Sequence, residues 1–443
     1  MTHPKNDVLK QPVLTVGDAF TQMRLQRAHA VIGVVLFITF VIEAWEQVGL
    51  IYVSQYLAED FKVSMAQVGT ALGAVALGMV PGTLLWGALV ERLGKKRVSV
   101  LSLSLYGLVA LAAALSPNFT LFVVLRFLSG VAFGGVYAVT FPYFMELLPT
   151  NRRGQATVAM SMGFPVGTLL CIAVSLMFGS VSWRIVAVIA AVAAAWAFMV
   201  WRFVPETPYW LVRKERQAEA KSVLAKLGIS IADHQTLVLD PEKAGEDSAA
   251  TVRKMRVAPL LTMIIIISFC YNWGYWGLQS WLPIFLQEKG LSISGSLGFV
   301  ALSQLVAVPG YLSAAWLTRR LGRRWVFVAF AVGATLGGLI FAAAAGPVQM
   351  YIGNFMYAFF VLGSWGIWNT WSGEALPTKA RGYGYATSSA SLLLANAIAV
   401  PIVGWMIDSG WSITATVGSI AAFMAIGILT TFGIPETEGK ALR

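Results

Sequence analysis

Apolar stretches of roughly 20 residues recur along the whole chain, and this feature constrains its fold more than any other. We count twelve such stretches over the 443 residues. Hydrophobic residues make up 57% of the chain and charged residues only 12%, a balance that excludes an ordinary soluble domain. Because a backbone inside lipid must satisfy its own hydrogen bonds, stretches of this length predict helices. The sequence therefore predicts an all-α integral membrane protein with twelve transmembrane helices.

The chain contains an internal repeat with an offset of 228 residues. Residues 80–98 and 308–326 share nine identities in nineteen positions, and residues 145–154 fall on 373–382 at the same offset. Each half holds six spans, an even number, so the two copies have the same orientation in the membrane. This arrangement predicts two six-helix bundles related by a pseudo-two-fold axis along the membrane normal. The predicted divisions are an N-terminal segment (1–27), a first bundle (28–204), a linker with short amphipathic helices (205–257), a second bundle (258–434) and a tail (435–443).

The net charge of +11 is distributed in a pattern typical of membrane topology, which argues against nucleic-acid binding. Lys and Arg concentrate in alternate loops, in the linker and at both ends. The positive-inside rule then predicts that both termini and the linker are cytoplasmic, in the cell inner membrane. The polar first 27 residues contain no signal-peptide pattern. The scattered His and Cys residues indicate no metal site, and no catalytic constellation or cofactor motif appears, so we do not expect an enzyme.

Two glutamates, Glu43 and Glu46, lie in the first apolar stretch, more than a helical turn from either end. A carboxylate near the middle of a bilayer costs about 2.5 to 3.5 kcal/mol, so both should face a wet cavity lined by protein. The fourth stretch contributes Arg126, the only other charge that we place in the bilayer core of the first half. An ion pair with Arg126 would keep one glutamate unprotonated, and a proton would release the arginine. We therefore predict a proton-coupling site.

The seventh stretch is the repeat partner of the first, and it should form the opposite wall of the cavity. Its polar and aromatic residues share one helical stripe with spacing i, i+3, i+4 and i+7: Asn272, Tyr275, Trp276 and Gln279. The tenth stretch adds Trp365, Trp368 and Asn369. Amides and aromatic faces suit a small, flat, partly polar solute. The alternative is that these aromatic residues serve as packing and interfacial anchors.

The loop GALVERLGKKR (87–97) resembles the signature of the major facilitator superfamily. The acid of that signature, more usually Asp, is Glu91 here, and the second copy has Arg319 at the corresponding position. The segments 142–154, 205–214 and 435–440 resemble cytoplasmic signatures of the sugar porters among the metabolite/proton symporters. That resemblance implies a salt-bridge network which closes a cytoplasmic gate. The residues it implies are Glu91, Glu146, Arg153, Glu206, Glu374, Arg381 and Glu436, with Arg92 and Arg320 as partners of the acids. The alternative is positive-inside loops with incidental acids.

EAWEQ (43–47) also resembles the D-G-aromatic-D pattern of the aromatic acid/proton symporters, and the resemblance continues over 56–98. Trp45 is the aromatic residue of this pattern, and we predict that it binds substrate. Together these features predict a proton-coupled symporter, acting as a monomer by alternating access, that imports a small organic solute such as an aromatic or heteroaromatic carboxylate. Two alternatives remain open: a proton-coupled antiporter exporting organic cations or drugs, and a sugar/proton symporter. A receptor or sensor with a transporter fold fits less well, because the tail is short.

Overall fold

The computed structural model of the protein describes residues 13–232, 234–239, 257–376 and 378–437, without the side chains of residues 154–155, 157–158 and 378–383. The first half contains α1 (Val16–Gln22), α2 (Arg27–Val48), α3 (Ser54–Phe61), α4 (Met65–Leu93), α5 (Lys95–Ala114), α6 (Phe119–Glu146), α7 (Arg153–Ser161), α8 (Gly163–Phe178), α9 (Trp183–Ile189) and α10 (Val192–Phe203). The linker contributes α11 (Pro208–Arg213) and α12 (Gln217–Lys226). The second half contains α13 (Val257–Gln279), α14 (Leu282–Glu288), α15 (Ile293–Leu321), α16 (Arg323–Ala343), α17 (Pro347–Glu374), α18 (Thr378–Asp408) and α19 (Ile413–Thr431). The two strands are β1 (Val13–Thr15) and β2 (Thr236–Val238).

Twelve segments within the described residues are long and apolar enough to cross a membrane, which confirms the predicted number. The spans are α2, α4, α5, α6, the pair α7 and α8, the pair α9 and α10, α13, α15, α16, α17, α18 and α19. Many large apolar side chains point outward, among them Leu84, Leu312 and Leu429. Such an apolar surface suits lipid and would be an aggregation hazard in water. We call the face that carries Arg27 and Ile434 the proximal face and the opposite one the distal face.

The two halves repeat the same local structure for the same local reasons. Helices α4 and α15 each have 29 residues and begin after a serine, Ser64 or Ser292, whose hydroxyl accepts a hydrogen bond from a first-turn backbone N–H. Both helices end at a glycine, Gly94 or Gly322, with φ of 88° and 85°. This left-handed conformation is open to glycine at little steric cost. The glycine of the loop signature therefore ends both helices at corresponding positions.

Helices from the two halves pack against each other along two seams. Helix α4 lies along α18, and α8 lies against α15. A cavity remains between the halves, and its lining comes from α2, α4, α6, α13 and α18. The fold therefore places Glu46 and the seventh stretch around one shared space, whereas Glu43 does not line it.

A parallel pair of strands, which a purely helical prediction missed, joins the N-terminal segment to the linker on the proximal face. Val13 pairs with Thr236 and Thr15 with Val238. The Phe20 ring stacks on Tyr209 of the linker at 5.8 Å between centroids. The linker helix α12 buries Ala220, Val223 and Leu224 on one face. The apolar stripe of α12 therefore packs on protein.

Candidate functional site

Glu46 and Arg126 form a buried ion pair within the first half. Their side chains are 2% and 6% exposed, and Arg126 Nη1 lies 2.5 Å from Glu46 Oε1. Tyr106 of α5 donates its hydroxyl hydrogen to Glu46 Oε2 at 2.6 Å, and Ser129 Oγ lies 3.5 Å from Oε1. A buried pair offsets its desolvation only when the remaining lone pairs are also satisfied, and these hydroxyls supply that satisfaction. The carboxylate is therefore held by groups from α5 and α6.

Glu43 is equally buried but has a different environment. It is 5% exposed and forms no hydrogen bond or ion pair among the described residues; the phenol groups of Tyr137 in α6 and Tyr385 in α18 lie within electrostatic range of its carboxylate. Tyr385 belongs to the second half, so Glu43 faces the boundary between the bundles. Of the two predicted glutamates, Glu46 therefore forms the ion pair with Arg126 and Glu43 does not.

The cavity between the halves has a polar side and an apolar side. Its polar lining residues come from both halves: Glu46, Gln47, Arg126, Tyr137, Trp276, Ser280 and Asn396. Its apolar wall includes Leu72, Val75, Met79, Leu392 and Val400. This arrangement suits a small solute with one flat apolar body and a few polar atoms.

A second cavity lies on the other side of the ion pair, inside the first half. Glu46 and Arg126 line it together with Trp45, Phe122 and Val186. The Trp45 indole N–H donates to the carbonyl of Val186 at 3.1 Å. Trp45, predicted to bind substrate, therefore contacts the interior of its own bundle; its side chain does not line the shared cavity. An aromatic residue in a helical pattern does not itself reveal which face meets the cavity.

On α13, the predicted stripe contributes Trp276 to the shared cavity. Asn272 is 1% exposed; its Nδ2 donates to the Ser268 carbonyl at 2.8 Å, and its Oδ1 has no partner among the described residues. Gln279 is also buried. The phenol of Tyr357 lies near the carbonyl of Tyr275. Asn272 therefore retains a free acceptor one helical turn from Trp276.

The three residues predicted on α17 do not line the shared cavity. Trp365 stacks on Tyr271 with centroids 6.5 Å apart, and Asn369 is exposed. Trp368 is 2% exposed and donates its indole N–H to Ser268 Oγ at 3.0 Å. Trp368 therefore helps to pack the second bundle, in agreement with the packing alternative.

The predicted gate residues form two matching clusters on the proximal face, one in each half. Glu206 accepts from the backbone N–H groups of Lys95 and Lys96, each at 3.1 Å, and Glu436 accepts from those of Arg323 and Arg324 at 3.0 and 2.9 Å. Each carboxylate thus caps the positive N-terminus of a helix, α5 or α16. Burial raises the pKa of Glu206, and the backbone hydrogen bonds and Lys95 oppose that shift.

The ion pairs of these clusters differ from the expected partners. Glu146 pairs with Lys95, and Glu374 pairs with Arg323 at 2.9 Å. Each of these pairs stays within one half. The predicted partners of the acids lie elsewhere: Arg92 is exposed, as is Glu91, and the Arg320 guanidinium lies 4.2 Å from the Trp316 ring centroid.

Two further gate residues complete the set. The Arg153 Nε donates to the Leu148 carbonyl at 3.4 Å, and its guanidinium lies 5.9 Å from the Phe20 ring centroid. The side chain of Arg381 lies outside the described part of the chain.

Three contributors to the site were missed by the sequence reading. Tyr106 is a single tyrosine in an apolar helix, and its spacing carries no signal. Gln47 follows directly after Glu46, and its amide was a signal that could have been used. Asn396 is a lone amide in the eleventh apolar stretch, where a polar group in lipid should have drawn attention.

Comparison with known proteins agrees with this geometry. A sequence model of the Major Facilitator Superfamily matches residues 34–322. The niacin transporter NiaP of Acinetobacter baylyi is 27% identical over 88% of this chain and 90% of its own length. The putative niacin/nicotinamide transporter NiaP of Bacillus subtilis is 25% identical, covering 84% and 87%. The partially occluded inward open structure of the xylose transporter XylE from E. coli aligns with a TM-score of 0.76 at 17% identity, over 94% of this chain and all of that one. The chain therefore belongs to the Major Facilitator Superfamily, and it is a twelve-span membrane transporter and not an enzyme.

Proposed function

We propose that the protein is a proton-coupled symporter for a small aromatic or heteroaromatic carboxylate, with Glu46 as the proton carrier. One observation carries the proposal: the buried pair of Glu46 and Arg126 forms part of the wall of the cavity shared by the two halves. A carboxylate in this position can neutralise itself by taking a proton and so lose its hold on the guanidinium. We also propose that both termini are cytoplasmic, in the inner membrane, and that the monomer is the functional unit.

Proton binding and substrate binding can be coupled through Arg126. Protonation of Glu46 leaves a buried guanidinium without a counter-ion, which is costly until another anion replaces it. Arg126 Nε has no partner among the described residues, so a donor is already free. A substrate carboxylate that reaches Arg126 restores the charge balance. The protein therefore favours two states: one with both a proton and a substrate bound, and one with neither.

The substrate class follows from the cavity and from the named relatives. Trp276 offers an aromatic face for stacking, and the amides of Gln47 and Asn396 can hydrogen-bond a ring heteroatom. The relatives named as niacin transporters point in the same direction, because niacin is a pyridine carboxylate. We therefore propose nicotinate and similar ring carboxylates as the first substrates to test.

The proposed coupling has an energetic consequence. One carboxylate anion moving with one proton carries no net charge, so the membrane potential supplies no driving force. The pH gradient alone contributes about 1.4 kcal/mol per unit, which allows about tenfold accumulation. A neutral sugar moving with a proton would instead gain about 2.3 kcal/mol per 100 mV of potential.

The test uses purified protein in liposomes with radiolabelled nicotinate. We expect uphill uptake with an imposed pH gradient, and no accumulation above the external concentration with a potassium diffusion potential alone. Glu46→Gln should abolish uphill uptake while counterflow exchange continues, because the glutamine is permanently neutral. Glu59→Gln, which changes an exposed carboxylate on the distal face, is the matched control. Uphill uptake by Glu46→Gln contradicts the proposal, and so does loss of both activities at an unchanged melting temperature.

A proton-coupled antiporter for organic cations is the second candidate. The environment of Glu43 favours it, because a buried carboxylate that no cation in the described part of the chain neutralises can serve as the counter-ion of a bound organic cation. In liposomes with an acidic interior, an antiporter accumulates an organic amine, whereas the symporter extrudes nicotinate. The direction of movement separates the two candidates.

A further inference from the structure

The distal ends of the two halves are joined by a carboxylate at a helix N-terminus. Asp408, the last residue of α18, accepts hydrogen bonds from the backbone N–H groups of Met65 and Ala66 in α4. The N···O distances are 3.0 Å to Met65 and 2.7 Å to Ala66. The two partners are 343 and 342 residues away along the chain, in the other half. This contact therefore bridges the bundles directly.

The Asp408 carboxylate completes the hydrogen bonding of the first turn of α4. The first four N–H groups of a helix have no partner within it. Ser64 Oγ accepts from Gln67 N at 3.4 Å, and Gln67 Oε1 accepts from Ser64 N at 3.0 Å. The remaining two N–H groups, those of Met65 and Ala66, are the ones that Asp408 satisfies. A negative charge at this position also complements the helix dipole.

Behind this contact, α4 and α18 approach closely through small residues. A Cβ atom on Gly73 would lie 2.7 Å from the Ala397 carbonyl oxygen, and one on Gly404 would lie 2.5 Å from that of Met65. Separation of the bundles at the distal face must therefore break the Asp408 contact first, since it sits at the outer edge of this seam.

The pseudo-symmetric seam between α8 and α15 lacks the same device. The repeat offset of 228 places Ile293 opposite Met65 and Ser180 opposite Asp408. Ser180 carries no charge, and Ser292 caps α15 locally. One of the two seams therefore has a charged closure and the other does not.

We propose that Asp408 is a distal latch, a positioning residue that stabilises the state in which the shared cavity is closed to the distal side. It acts by capping α4 across the bundles. When the halves separate, the N–H groups of Met65 and Ala66 turn to water and the carboxylate is released. This inference rests on the proposed alternating access but requires neither a particular substrate nor proton coupling.

The test measures how fast a cysteine in the shared cavity reacts with a membrane-impermeant thiol reagent added at the distal side. Ser280→Cys is the reporter, because Ser280 lines the cavity and the native Cys171 and Cys270 are buried. Asp408→Asn removes the charge and one of the two acceptor oxygens, and we expect labelling to become about tenfold faster, the scale of one hydrogen bond to a charged group. Asp408→Glu should label at a rate close to that of the reporter alone.

The matched control is Asp60→Asn. Asp60 is also an exposed acid on the distal face, but it accepts from Trp183 Nε1 at 2.9 Å and pairs with Arg184 at 3.1 Å, all within the first half. Its loss should leave the labelling rate unchanged. Equal acceleration by Asp60→Asn and Asp408→Asn overturns the latch, as does no acceleration by Asp408→Asn.

A wedge variant separates failure of the latch from failure of alternating access. Gly73→Trp cannot fit against Ala397, so it forces the distal seam apart. If Gly73→Trp accelerates labelling and Asp408→Asn does not, Asp408 is not a latch, although the cavity does open at the distal face. If neither variant accelerates labelling, the seam is not the distal opening, and both inferences are overturned.

Discussion

The two halves share one architecture but differ in the charge at their centres. In the first half, Glu46, Arg126 and Tyr106 form a buried charged cluster. The repeat offset of 228 places Gly274, Asn354 and Ala334 at the corresponding positions of the second half.

Neutral contacts fill the same region of the second half. Asn354 donates to Ser303, and the phenol of Tyr357 lies 3.4 Å from the carbonyl of Gly274. The second half thus folds into the same six-helix arrangement without the charges. Because buried charges are costly and the described residues of the second half have none at these positions, we propose that function, and not packing, retains them in the first half.

The largest expected effect comes from making the first half resemble the second. Arg126→Asn introduces the residue that stands at position 354 and leaves Glu46 buried without its partner. Breaking a buried pair costs about 3 to 5 kcal/mol, so we expect loss of uphill uptake and a clear fall in melting temperature. The double variant Arg126→Asn with Glu46→Gln removes the stranded charge. It should recover stability but not uphill uptake; recovery of uptake would show that the charges are dispensable.

A smaller effect is expected at Tyr106. The corresponding residue of the second half, Ala334, has no hydroxyl group. Hydrogen bonds to charged groups contribute about 1.5 to 3 kcal/mol, so Tyr106→Phe should reduce the initial rate of uphill uptake about tenfold or more. Tyr143→Phe is the matched control, because its hydroxyl donates to the Pro205 carbonyl at 2.7 Å, a neutral acceptor. Equal losses of uptake in both variants would refute a special role for Tyr106.

Asn354→Ala tests the neutral counterpart of Arg126. The variant removes a neutral hydrogen bond to Ser303, so we expect about 1 kcal/mol less stability and unchanged accumulation of substrate. Melting temperature and the accumulation ratio at a fixed pH gradient are the measurements. If Asn354→Ala abolishes accumulation as Arg126→Asn does, the functional asymmetry between the halves is wrong.

The smallest effects are expected at the proximal ion pairs, where the halves are alike. The side chains of Lys95 and Glu146 are 15% and 32% exposed, and those of Arg323 and Glu374 are 19% and 20% exposed. Partly exposed pairs of this kind contribute about 1 kcal/mol or less and are screened by salt. Lys95→Met and Arg323→Met should therefore lower the melting temperature slightly and by similar amounts at low salt. The difference from the unmodified protein should shrink at high salt; a large change in only one variant would contradict this equivalence.

Much of the fold could be predicted because each signal is local. Apolar length indicates the spans, and the serine and glycine that bound α4 recur around α15. The strand pairing of Val13–Thr15 with Thr236–Val238 could not be predicted in this way, because three-residue strands far apart in the chain carry no period. The same limit explains Trp368: a helical pattern identifies a stripe of aromatic residues, but its neighbours depend on packing between helices.

The sequence by itself determined that the chain has twelve spans in two copies and that two acids and one arginine must be sheltered from lipid in the first half. These properties follow from transfer free energies and from repetition, which need no coordinates. Only the tertiary structure decided that Glu46, and not Glu43, meets Arg126. Residues three apart on a helix point about 60° away from each other, so small differences in how α2 is rotated select the partner. It also decided that Asp408 reaches the start of α4, because contacts between residues so distant in sequence are set by how the two bundles pack.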